Sequence, residues 1–103
     1  MSQESEWKLL AGCRARINEV DVRILELLNE RTRIVEEIGQ IKQSLNLPIY
    51  EPKREDEVYM NIGSHNSGPL PADAVKRVFE RIIDEMRTLQ RMRRVANQGK
   101  AGE

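Results

Sequence analysis

LAGCRARINEVDVRILELLNERTRIVEEIGQIKQSL, residues 10–45, carries apolar residues seven apart on two interleaved tracks. Leu10, Ile17, Ile24, Ile38 and Leu45 form one track. Cys13, Val20, Leu27, Ile34 and Ile41 form the other. Together they make the a/d seam of a helix that packs against another helix. The position between Ile24 and Ile38 is Arg31. A guanidinium in an apolar seam needs an anion, because an unpaired buried charge is costly.

The helix reaches outward from this stretch. From about Trp7 to Leu45 there is no proline, and helix formers dominate. Such a helix of roughly 38 residues is about 57 Å long at ~1.5 Å per residue. A domain of this size has a radius of gyration of only ~13 Å. The helix therefore projects beyond its own fold, and the seam predicts an obligate oligomer, most simply a two-fold homodimer. Asn46-Leu47-Pro48 ends it. A short second helix starts at Pro52, with Glu51 at its positive end, carries Val58 and Ile62 inward and stops at Gly63. Residues 64–70 read as a loop. Pro71 opens a third helix whose inner face is Val75, Phe79, Ile82, Met86 and Leu89, fraying after Val95. The expected fold is all-α: one domain over residues 1–103, a three-helix protomer with its core at about 7–95, and a disordered tail at 96–103.

Composition narrows the function. Lys plus Arg and Asp plus Glu both number 17, so no net charge draws the chain to nucleic acid or a membrane. The single cysteine permits no intrachain disulfide, which with a polar, acidic N-terminus predicts a soluble, cytoplasmic protein. No apolar run approaches spanning length. There is no His/Cys/Asp cluster for a metal and no glycine-rich phosphate loop, so no cofactor is expected.

The inner-face charges carry the chemistry. Lys42 follows Arg31 by eleven residues, about 20° from alignment, with backbones roughly 16 Å apart on an ideal helix. Two long cationic side chains on one face leave a gap for a small dianion. Arg14 lies ~100° around the same helix, so it serves that gap more readily from an antiparallel partner chain. Gln90 is an uncharged amide bordering the third helix's apolar stripe. Arg54 and Glu55 sit in the first turn of the second helix. Singly, each has an ordinary reading: register setting for Arg31, solvation for Lys42, packing for Gln90, surface charge for Arg54 and Glu55. Arg91, Arg93 and Arg94 read as a solvated helix end, Cys13 as seam packing, and His65 as a loop histidine. The coincidence of inward cations with few balancing carboxylates favours a multiply anionic ligand.

The ordered set Cys13-Arg14-Ala15-Arg16-Ile17-Asn18-Glu19-Val20-Asp21, Leu27-Leu28-Asn29-Glu30-Arg31, Gly39-Gln40-Ile41-Lys42, Arg54-Glu55, Phe79-Glu80-Arg81-Ile82-Ile83 and Gln90 resembles the all-helical chorismate mutases over residues 7–95. The resemblance implies conversion of chorismate to prephenate, on the route to phenylalanine and tyrosine, at two equivalent sites of an intertwined homodimer. By position it implies that Arg31 and the partner chain's Arg14 grip the substrate carboxylates. Lys42 and Gln90 would hydrogen-bond the ether oxygen, and Glu55 the ring hydroxyl. Arg54 and the backbone at Glu51 would support the site. Two positions depart from the family: Glu51 stands where aspartate is common. Met86 stands where serine is common, which leaves one carboxylate contact to water or to a backbone donor. A pericyclic step suits residues that hold a conformer and aim fixed donors at a developing charge. An isochorismate pyruvate lyase on the same fold and a non-enzymatic helical dimerisation module are the alternatives.

Overall fold

The seam helix is α1, Gln3–Ser44; α2 is Pro52–His65 and α3 is Ala72–Ala101. The computed structural model describes residues 2–101, with side chains through Gln98. Among the described residues there is no strand, and no helix is long and apolar enough to cross a membrane. Contacts divide the chain into two units, Met1–Arg33 and Ile34–Glu103.

In the first unit, α1 starts earlier than the apolar pattern predicts, because caps rather than periodicity set its end. Ser2 Oγ accepts the Ser5 amide at 3.3 Å, and Glu4 and Glu6 occupy the first turn, where the helix dipole favours negative charge. The seam residues Leu10, Ile17, Val20, Ile24 and Leu27 are all exposed on the single chain. So is Cys13.

In the second unit the core is small: Val35 and Ile83 are its buried apolar residues. The expected inner face of α3 is in place, with Val75, Phe79, Ile82, Met86 and Leu89 half-buried, as are Val58 and Ile62 of α2. Ile34, Ile38 and Ile41 remain exposed. The part of α1 that packs against α3 lies on a neighbouring face, where Gly39 leaves room for α3: a Cβ there would sit 3.7 Å from Gln90 Cγ. The seam and the intrachain packing surface are thus different faces of one helix.

Helix ends bring the site together. Asn46 takes a left-handed φ of 58°; its amide bonds the Gln43 carbonyl at 3.1 Å and that of Leu47 bonds the Lys42 carbonyl at 2.8 Å. This paired closure is a Schellman turn, with asparagine tolerating the left-handed position. It sends the chain back past the end of α1 toward Ile49 and Glu51. α2 runs two residues beyond Gly63, and His65 Nδ1 lies 2.7 Å from the Asn61 carbonyl oxygen, so this histidine ends a helix and has a partner. α3 does not fray at Val95; it continues to Ala101, so the expected disordered tail is helical over 96–101. Residues 102 and 103 lie outside the described residues.

Candidate functional site

Lys42 is held at two points near the end of α1. Its side chain is 12% exposed, and its ammonium meets Glu51 Oε1 at 2.6 Å and donates to the Ile49 carbonyl at 3.0 Å. Both partners come from the segment that the Asn46 turn sends back. An ammonium has three donors, and two of them are engaged by these partners. Glu51 is the N-cap residue of α2 but makes no side-chain cap bond; its carboxylate faces Lys42 instead. The sequence placed Glu51 at the helix end by its dipole. The ion pair with Lys42 outweighs that, because a charged donor at short range is a stronger partner than the helix terminus.

Gln90 is half-buried on α3, and its Oε1 is buried with no hydrogen-bond partner. A buried, unpaired amide end costs free energy unless a partner arrives. A half-turn of the amide exchanges Oε1 for Nε2, so this position can present an acceptor or a donor. Gln90 lines a cavity of about 250 Å³ with Val35, Gly39, Gln43, Leu89 and Arg94. Lys42 is not in its wall, so this cavity does not unite the two residues expected at the ether oxygen.

Glu55 is not the surface charge of its ordinary reading. Its side chain is 21% exposed, and its Oε2 lies 2.5 Å from Arg87 Nη2. Arg87 also lies 3.4 Å from Asp84, with its guanidinium carbon 4.9 Å from the centre of the Tyr50 ring. The hydrogen bond to Glu55 raises the guanidinium above its ordinary pKa, against partial burial, which lowers it. Nearby, the Tyr59 phenol is also raised, first by burial and then by the carboxylates of Glu80, Glu55 and Asp84. Arg54, by contrast, points to solvent and pairs with Glu57 at 3.2 Å. Met86 is half-buried on α3.

Arg14 and Arg31 belong to the first unit, where Arg14 is exposed and Arg31 half-buried. The cluster read as a solvated helix end is only partly so. Arg91 is exposed, but Arg94 donates to the Leu47 carbonyl at 2.9 Å, and Arg93 lies 3.5 Å from Glu36. Arg94 thus satisfies a carbonyl of the turn after α1, which a helix-end reading of charge alone does not reveal. Arg87 is the other residue that sequence reasoning missed. Its signal was a cation flanked by Met86 and Leu89, close to the apolar stripe.

The chain matches the family model described as chorismate mutase type II over residues 13–91. That span contains every site residue named from the sequence. The chain is 37% identical over 94 residues to the bifunctional chorismate mutase/prephenate dehydratase of Aquifex aeolicus, covering 87% of this chain and 26% of that protein. It thus spans about a quarter of the length of that relative. Among solved structures, chorismate mutase (form II) from Thermus thermophilus superposes with a TM-score of 0.78 at 35% identity, over 80% of this chain and 93% of that one. Chorismate mutase from Helicobacter pylori in complex with prephenate superposes with a TM-score of 0.76 at 30% identity, over 82% and 91%.

Proposed function

The chain belongs to the chorismate mutase type II family, and we propose that it converts chorismate to prephenate as a homodimer whose sites are shared between chains. The observation that carries this reading is Lys42, a nearly covered ammonium with two of its donors engaged. The reaction is an intramolecular rearrangement: the ether C–O bond breaks as a C–C bond forms, with no group leaving and no redox change. Negative charge grows on the ether oxygen. A preorganised cation aimed there lowers the barrier without reorganising at the moment of reaction.

In this reading Arg31 and the partner chain's Arg14 bind the two carboxylates, and Lys42 and Gln90 bond the ether oxygen. Glu55 accepts from the ring hydroxyl, with Arg54 and the backbone at Glu51 at the margin. Met86 contributes packing where a hydroxyl residue is common. Dimerisation is supported by the exposed seam of α1, whose apolar residues have no cover on the single chain. A cytoplasmic setting is supported by the single cysteine. The deciding assay offers chorismate and isochorismate separately and reads prephenate and salicylate. Prephenate from chorismate alone is expected. Salicylate from isochorismate replaces this reading with the lyase, and neither product leaves a helical dimerisation module.

Gln90 gives a test by pH. An amide donates at any pH, whereas a carboxyl donates only when protonated. In a Gln90→Glu variant, the carboxylate at neutral pH faces an oxygen that is gaining negative charge, and cationic neighbours favour that ionised form. Activity of Gln90→Glu is expected to be poor at neutral pH and to climb as pH falls, while the parent stays comparatively flat. A folded Gln90→Glu variant with a pH-independent rate makes Gln90 a packing residue only.

A further inference from the structure

We infer that Arg87 is a positioning residue: held between the Tyr50 ring and the Glu55 carboxylate, it fixes that carboxylate to receive the hydroxyl of the substrate ring. The inference rests on the mutase reading above and adds a residue to it. Arg87 sits on α3 and Glu55 in the first turn of α2, so their link is made only by the folded chain. Both side chains are about four-fifths covered, at 20% and 21% exposure. The guanidinium is engaged on its face by Tyr50 and at its two terminal nitrogens by Glu55 and Asp84.

Stability alone is a poor account of this arrangement. Arg87 Nε is buried with no hydrogen-bond partner, which is a cost. Two helices can be joined at lower cost by apolar side chains, since covered ion pairs often do no better than well-packed hydrophobic residues. What an arginine supplies and a hydrophobic residue does not is orientation. Its planar fork fixes the direction of a carboxylate as well as its distance. Glu55 Oε2 is taken by Arg87, whereas Oε1 has no hydrogen-bond partner among the described residues. A glutamate without Arg87 regains rotamer freedom, and ordering it again on binding has a cost. It also presents an uncompensated negative charge to a substrate that already carries two.

The contact to a ring hydroxyl exists before and during the rearrangement. Such uniform binding acts on KM more than on kcat. Arg87→Met is therefore expected to raise KM for chorismate by about tenfold while kcat stays within about threefold. Arg87→Lys, which keeps the charge but not the fork, recovers part of that loss. In a Glu55→Gln background, Arg87→Met and Arg87→Lys add nothing further, because the carboxylate they act through is gone. Far-UV circular dichroism and thermal midpoints accompany each variant; if Arg87→Met fails to fold, Arg87→Lys with and without Glu55→Gln decides. An unchanged KM, or equal losses with and without Glu55, overturns the proposal and makes Arg87 a packing residue. A parent that leaves chorismate unconverted overturns the mutase reading itself, and this inference with it. An active parent with additive losses overturns this inference alone.

Discussion

Lys42→Ala lowers the turnover number by about 100-fold or more, the scale for removing one preorganised donor from a developing oxyanion. The size of the effect follows from how the ammonium is held. Two of its donors are committed to Ile49 and Glu51, so its charge does not have to be gathered from solution when the ether bond stretches. The loss falls on kcat more than on KM, because the ether oxygen carries little charge until the bond breaks. Folding is not the route of the loss. The partner Glu51 is 43% exposed, so water can solvate its carboxylate once Lys42 is gone. Circular dichroism of Lys42→Ala therefore matches the parent. Lys42→Arg separates charge from shape: it keeps the cation but spreads it over a planar fork, and is expected to fall between parent and alanine. If Lys42→Ala raises only KM, the residue grips the ground state and the electrostatic account of the reaction fails.

The helices were legible because their signals are local. Seven-residue spacing, Pro48, Pro52 and Pro71 mark where helices run and stop, and the chain obeys them. Local signals also explain the errors at the ends. Ser2 caps α1 before any apolar residue enters the pattern, and α3 continues past Val95 without an apolar stripe to announce it. Lys42 and Gln90 were legible as inward-facing polar residues because a helical period reports burial. Their partners were not. That Glu51 turns to Lys42, that Arg94 reaches the Leu47 carbonyl and that Arg87 takes Glu55 are contacts across chain separations of 9, 47 and 32 residues. The distances follow from how the Asn46 turn and the α2–α3 packing bring backbones together, which helical periodicity does not report. Charge in a sequence shows which residues want partners; only the fold shows which partner is within reach.

Mixing two inactive proteins restores activity if Arg14 serves the partner's site. Arg14→Ala and Arg31→Ala are each expected to be nearly inactive, since each leaves one carboxylate of a dianionic substrate without its guanidinium. Each homodimer then has two incomplete sites. A mixed dimer has one site missing both arginines and one with both intact, because each chain supplies Arg31 to one site and Arg14 to the other. Random reassortment makes half the dimers mixed, with one working site of two, so about one quarter of the parent activity returns. A site built wholly within one chain gives a different result: every site in the mixture then lacks one arginine, and activity stays near zero. The exchange is made by unfolding the two variants together in denaturant and removing it, so that any dimer formed along the exposed apolar face of α1 pairs at random. Differently tagged chains establish that mixed dimers have formed before activity is read. With their formation shown, absence of recovery removes the shared site. Recovery near one quarter, rising toward one half when mixed dimers are purified, places Arg14 across the two-fold axis.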